Sequence, residues 1–338
     1  MSLGLDIPIE CPLCSKECRT TLEVIDSRKP IKCRGCGKSF AIGDVFEHLY
    51  NEERLVRDSV DIIAEYAASQ SELKASSKES REAAEQLLKQ VGFQDLARET
   101  ARQILVHGDA FLRIAKKGTT MNWELMPPAR VLVKTSWAKD PRWKTPLLRE
   151  DEFVLAGGKG TTVFIPNDVV HFRKMTFSYE QVPYGTSMIL VCLTHLHYLR
   201  QYRVSPARAR PDFQAWAGYL ESQVKLGLMV PEFVLARNPN GWNLTAAQFV
   251  MTLFVGEVNG LKDILSHGFN SALERLAKQK GLKSAPKIEF GRLVERRVLV
   301  DCGFDFSEEA RVWRELHQAG IINKEYLERK LAEYETLK

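Results

Sequence analysis

The sequence predicts an α+β protein, mainly helical, that begins with a small cysteine-rich unit. Three observations predict it. Apolar residues recur at helical spacing before residue 107 and again from Ser187 onward. Between Gly108 and Phe172 the pattern changes to short β-type runs separated by Gly and Pro turn signals. Five of the seven cysteines fall within the first 36 residues, and four of those form two Cys-x-x-Cys pairs.

The cysteine-rich unit, residues 1–43, is built of short segments dense in Cys, Gly, Lys and Arg. Eighteen residues separate Cys11-Pro12-Leu13-Cys14 from Cys33-Arg34-Gly35-Cys36, the spacing of a four-cysteine zinc ribbon. Four thiolates close a tetrahedral shell around zinc and leave no position open to a substrate, so the metal is structural. The expected ligands are Cys11, Cys14, Cys33 and Cys36; Cys18 breaks the spacing and is the spare. Gly35 and Gly37 suit turns in which backbone N–H groups reach the sulfurs. Residues 1–50 carry seven Lys/Arg and seven Asp/Glu, and a loaded four-thiolate centre adds a charge of about −2. That balance favours protein docking over phosphate contact, with nucleic acid as the second reading.

Asp44 and Glu47 have the spacing of a capping box and open a helix from Val45 to about Ala68. The Ser- and Lys-rich stretch Ser69–Ser80 reads as a loop, helix resumes to Lys89, and Phe93–Val106 is helical again. Six β-type runs follow, Ala110–Ala115, Trp123–Leu125, Val131–Lys134, Phe153–Leu155, Thr162–Phe164 and Val169–Phe172, forming a small antiparallel region. A helix over Ser187–Arg203 carries Ile189, Cys192, Leu193, Leu196 and Leu199 on one face, which suits packing against neighbouring copies or an ordinary core. Thr245 and Gln248 form a second capping box before the longest helix, Ala246 to about Gln279. Gly256, Gly260 and Gly268 each cost it about 1 kcal/mol relative to Ala, marking either a weak helix or one that bends or admits a neighbour. Helices Glu308–Gln318 and Lys324–Thr336, with Ser307 and Asn323 as caps, close the chain.

Composition and failed motifs exclude several functions. At 338 residues, 44% hydrophobic and 27% charged, the chain supports two or three domains with a real core. A net charge of +5 is mild for a nucleic-acid binder. Asp6 and Glu10 interrupt any secretory signal, and the most apolar window, Met188–Leu199, is too short to span a bilayer, so no membrane partner is expected. An odd cysteine count argues against a disulfide framework and for synthesis in a reducing cytoplasm; Cys192 and Cys302 read as small buried apolar residues. Gly37-Lys38-Ser39 lacks the upstream glycine of a phosphate-binding loop, where Lys32 stands, and Gly157-Gly158-Lys159-Gly160 reads as a hairpin turn. His195 and His197 point to different helix faces, and Asp168 and Glu180 read as surface charges. No catalytic constellation remains, and the chain is not expected to be an enzyme.

The run Arg102-Gln-Ile-Leu-Val-His-Gly-Asp-Ala-Phe-Leu112 resembles a segment of phage portal proteins, a helix passing into a strand. Trp123-Glu-Leu-Met-Pro-Pro128, Ile165-Pro-Asn-Asp-Val-Val-His-Phe-Arg173 and Pro183-Tyr-Gly-Thr-Ser187 follow in that family's order. Leu228–Leu235, the Thr245-capped helix and Ala319–Tyr326 resemble portals of contractile-tailed phages. The resemblance covers about 50–338 and leaves the ribbon outside it. It implies a portal fold divided into ribbon (1–43), wing (44–180), stem helices and short clip (181–228), channel-loop region and long wing helix (229–304) and small helical crown (305–338). It also implies a homo-oligomeric ring, a dodecamer, at one capsid vertex of the virion, assembled in the host cytoplasm. Such a ring engages the major capsid protein, the head-tail adaptor and the terminase motor. Double-stranded DNA passes through it during packaging and ejection without base readout. The alternative is a zinc-ribbon nucleic-acid-binding regulatory protein.

No acidic residue lies between Glu180 and Asp212, while Arg200, Arg203, Arg208 and Arg210 cluster near the end of that stretch. Pro206 and Pro211 bracket the last two on an extended loop. The resemblance places this loop at the clip, so the four arginines are candidates for adaptor docking; the plainer reading is a solvated loop.

Overall fold

In the computed structural model, residues 6–117, 120–138, 147–157, 160–174, 183–204, 211–236, 244–304, 307–318 and 321–335 are described. The two Cys-x-x-Cys turns each close a short hairpin. β1 (Ile7–Glu10) pairs antiparallel with β2 (Glu17–Thr20). A short helix α1 (Leu22–Asp26), capped by Thr21, leads to β3 (Ile31–Lys32), which pairs with β4 (Ser39–Phe40).

α2 (Ile42–Glu52) starts three residues before the expected Val45. The Ala41 N–H donates to the Asp44 carboxylate at 2.8 Å, so Asp44 lies in the first turn rather than capping it. At Glu53 the backbone is extended, and α3 (Arg54–Ala68) restarts at once, so the single expected helix is two. The break turns the Glu53 side chain inward, where it is 9% exposed and meets two arginines. The expected loop after Ser69 instead contains β5 (Ser71–Lys74), which pairs with a strand from the far end of the chain, Leu73 facing Ile288. No local signal marks such a partner. α4 (Lys78–Gln90) is capped by Ser77, whose Oγ accepts the Ser80 N–H at 3.1 Å. α5 (Phe93–His107) ends at left-handed Gly108.

All six β-type runs are strands: β6 (Asp109–Lys117), β7 (Thr120–Met126), β8 (Val131–Ala138), β9 (Leu147–Gly157), β10 (Gly160–Phe164) and β11 (Val169–Arg173). They form two three-stranded antiparallel sheets, ordered β11-β6-β7 and β10-β9-β8. Phe111, Met126, Val131, Val133, Phe153, Phe164 and Val169 make one buried cluster from strands of both sheets. Gly157 faces Gly160 across the β9–β10 turn; Gly158 and Lys159 lie outside the described residues.

α6 (Met188–Val204) opens on Ser187, whose Oγ accepts the Ile189 N–H at 3.0 Å. Its face of Ile189, Cys192, Leu193, Leu196 and Leu199 is buried within this chain, at 3% exposure or less, by α5, β1 and α7 (Pro211–Gly227). The ordinary-core reading of that face therefore holds, because the chain's own elements already cover it. Gly227 admits α7 to Cys192, where an added Cβ would come within 3.1 Å. Proline at the first position of α7 suits a helix start. Pro206, Arg208 and Arg210 lie outside the described residues.

After α8 (Glu232–Ala236), α9 (Leu244–Lys280) is one helix of 37 residues that begins before Thr245. Gly268 explains one of its three glycines: an added Cβ would sit 2.1 Å from the Phe172 ring, so the missing side chain is what lets β11 approach. At Gly256 and Gly260 nothing lies within 4 Å. Phe269 gathers Phe93, Trp123, Phe172 and Phe290 at centroid distances of 5.0–6.4 Å. Phe290 belongs to β12 (Lys287–Phe290), whose Ile288 backbone is held by the Asn270 side chain. α10 (Glu295–Asp301), α11 (Ser307–Gln318) and α12 (Lys324–Glu335) complete the chain, with Asn323 capping α12 through the Tyr326 N–H at 2.8 Å.

The chain packs as two compact units. The first comprises Met1–Leu228 with Gly260–Gly291, so the ribbon, both sheets, α6, α7 and the C-terminal part of α9 share one body. The second comprises Met229–Asn259 with Arg292–Lys338. Within it, Asn259 bonds both ways to the Leu293 backbone at 2.8 and 3.1 Å, and Arg296 lies over the Trp313 ring.

Candidate metal centre

The two knuckles are built alike. Cys11 N–H donates to Lys16 O at 3.0 Å, and Cys33 N–H donates to Lys38 O at 2.9 Å, closing turns of the same length. Each turn needs a left-handed residue just past its second cysteine, supplied by Ser15 (φ 57) and Gly37 (φ 73). The sulfurs of Cys11, Cys14, Cys33 and Cys36 thereby converge within 4.8 Å of one another. Two opposite edges measure 4.0 Å (Cys11–Cys36) and 3.6 Å (Cys14–Cys33). A zinc–sulfur bond of about 2.3 Å makes a tetrahedral edge of about 3.8 Å, midway between them. These four thiols fit a structural metal such as zinc. Cys18 is buried on β2 and is not one of the four.

The electrostatics of the thiols favour a cation. Cys33 accepts N–H groups from Cys36 at 3.5 Å and Gly35 at 3.2 Å, and these help hold its thiol down at about 6. Burial pushes Cys11 up to about 12 and Cys18 to about 11. The buried Cys11 thiolate is therefore disfavoured unless a divalent ion compensates it, and loading releases protons.

The ribbon is locked to the β-region by a residue that belongs to none of the motifs. Arg28, in the turn after α1 at φ 49, is 9% exposed. Its guanidinium forms an ion pair with Asp109 and donates to Pro128 O at 2.9 Å and His107 O at 3.1 Å. The Tyr184 ring covers it at 4.2 Å. Asp109 is fully buried, and its other oxygen accepts from His171 Nε2 and the Gly185 N–H, both at 2.8 Å. His171 Nδ1 reaches Glu150 at 2.6 Å. Burial opposes the Asp109 charge, yet Arg28 and His171 hold its carboxyl below the usual range. Burial likewise opposes protonation of His171, and the carboxylates of Asp109 and Glu150 raise it above the ordinary imidazole value. Asp109 stands in the His-Gly-Asp run quoted above; nothing in the sequence marks Arg28.

A second tie runs to α6. Arg200 meets Glu10 of β1 at 2.9 Å and Glu53 at 3.1 Å, while Arg203 meets Glu53 at 2.7 Å. Two of the four candidate docking arginines thus hold carboxylates of their own chain. His197 Nε2 lies 3.3 Å from Glu17 without the alignment of a hydrogen bond.

No protein-family model matches this chain, and no curated protein does. Solved structures do, and the fold is one seen in gene transfer agent (GTA) particles. A chain from the neck of an empty GTA particle, computed with C6 symmetry, gives a TM-score of 0.53 at 14% identity, covering 88% of this chain and 93% of that one. The neck of a native GTA particle with C12 symmetry gives 0.51 at 12%, over 90% and 95%. The virion of a native GTA particle gives 0.52 at 13%, over 81% and 88%. At these identities the likeness is one of fold.

Proposed function

We propose that this chain is the portal subunit of a phage-like particle. Twelve copies form a ring at one capsid vertex of the virion. The ring is the conduit through which double-stranded DNA is packaged and ejected, and the platform for the head-tail adaptor, the terminase motor and the major capsid protein. The observation that carries the reading is the shared fold with GTA neck chains over most of both chains, in particles solved with six- and twelve-fold symmetry. The ordered portal-like segments supply an independent line, since they come from sequence alone. The chain performs no chemistry of its own, and its four thiols hold a structural zinc that fixes the ribbon. Electron microscopy of purified protein is expected to reveal a closed ring with a central hole. Only monomers or dimers at micromolar concentration, with capsid partners present, would refute it.

A further inference from the structure

The ribbon is neutral by count, but its charges are not evenly placed. Glu10 and Glu17 turn toward α6, and Asp6 and Glu23 lie near Arg19 and Lys29 at 3.6 and 3.7 Å. The exposed cations Lys16, Lys32, Arg34 and Lys38 face no carboxylate among the described residues. They flank the two knuckles together: the Lys16 stem lies against Gly35, where an added Cβ would be 2.4 Å away, and Lys32 is the cross-strand neighbour of Ser39. Leu13, 55% exposed, stands on the first knuckle. The metal end of the ribbon is therefore a cationic surface with an apolar residue on it.

The complement is on the same chain. α3 and α5 border an open groove of about 590 Å³ in which Asp61, Glu65, Asp95 and Glu99 outnumber Arg98 and Arg102. Arg102 chelates Glu99, and Arg98 approaches Asp95 at 3.8 Å. Asp61 takes the Tyr50 hydroxyl at 2.7 Å, and among the described residues no cation lies within 4.0 Å of Asp61 or Glu65. Two carboxylates in the groove are left uncompensated.

We infer that the cationic knuckle face of one copy docks into the α3–α5 groove of the next. Two different, complementary patches on one chain make a head-to-tail contact, the kind that closes a ring by rotation. The inference rests on the ring reading and names a contact that would build the ring. A second copy is favoured over DNA because this chain itself carries the matching acidic surface.

The test measures ring assembly against protein concentration at low salt, with zinc content checked for every variant. Lys32→Glu with Arg34→Glu is expected to raise the half-assembly concentration about tenfold or more, and so is Asp61→Lys with Glu65→Lys. All four changes together are expected to return it to within about threefold of the unaltered chain, a rescue that misfolding cannot produce. Assembly unchanged by either pair, or no rescue in the combination, overturns the inference. So does a Lys32→Glu, Arg34→Glu variant that still forms rings but no longer retains a mixed-sequence DNA duplex, since the face would then serve phosphate. Failure of the unaltered chain to form any ring is a distinct result and overturns the portal reading beneath.

Discussion

Arg28→Met removes the plug that joins the ribbon to the sheets, and its cost follows from what is left behind. Asp109 has no solvent exposure, and Arg28 side-chain exposure is 8%. Removing one partner of a buried pair costs about 3–5 kcal/mol, because the remaining charge stays buried. Asp109 keeps His171 and the Gly185 N–H, which places the loss at the lower end, about 3 kcal/mol. Arg19→Met is the control: its pair with Asp6 is 66% and 60% exposed and worth about 0–1 kcal/mol. Urea unfolding of zinc-loaded protein gives both numbers, and hydrogen exchange at β6 and β11 amides shows where the loss falls. In an Asp109→Asn background the carboxylate charge is gone, so Arg28→Met should cost no more than about 1 kcal/mol. A loss under about 1 kcal/mol in the unaltered chain, or the same loss in both backgrounds, would refute the clamp. Zinc removal should weaken the same amides, and should do so less when Arg28 is already Met.

Metal analysis should find one zinc per chain, and none in a Cys33→Ser, Cys36→Ser variant. Gly268→Ala should cost about 1–3 kcal/mol, because Phe172 is buried against Phe269 and cannot retreat from the added methyl; calorimetry measures it. His171, raised by Asp109 and Glu150, contributes stability that is complete below about pH 6.5 and is lost as pH rises through its folded value. Asp109, held low, contributes stability present above about pH 3.9 and lost as pH falls through its folded value. Unfolding free energy against pH should therefore decline on the alkaline side, and His171→Gln should flatten that limb. Arg208→Glu with Arg210→Glu should leave ring formation intact and weaken adaptor docking, more so at low salt; unchanged binding at low ionic strength removes the role.

Elements with their own local signal were legible. The knuckles, the six strands, α5 and α9 each carry period, cap or spacing within a dozen or so residues, and each is present. What escaped depends on distant partners. β5 is a polar stretch whose strand partner is the distant β12, and at the α2–α3 break the buried Glu53 meets Arg200 and Arg203 on α6. The apolar face of α6 is legible as apolar, but periodicity says that a face is covered, not by whom. Here the chain's own α5, α7 and β1 cover it.

The convergence of the four cysteines was legible, because identical residues at fixed spacing state their chemistry within one segment. The residues that make the ribbon part of the larger body were not. Arg28 is one arginine among many until its long side chain reaches Asp109, a residue remote from it in sequence. The same blindness affects charge. Counting finds the ribbon neutral, yet folding sets Glu10 and Glu17 beside Arg200 and Gln201 of α6 and leaves Lys16, Lys32, Arg34 and Lys38 exposed with no carboxylate paired to them among the described residues. A sum over sequence cannot record that separation, and interaction between surfaces depends on the local field rather than the total. Neutrality by count therefore does not weigh against phosphate contact. What replaces it is the position of each charge, which gives the ribbon an inner face that holds α6 and an outer face open to an acidic partner.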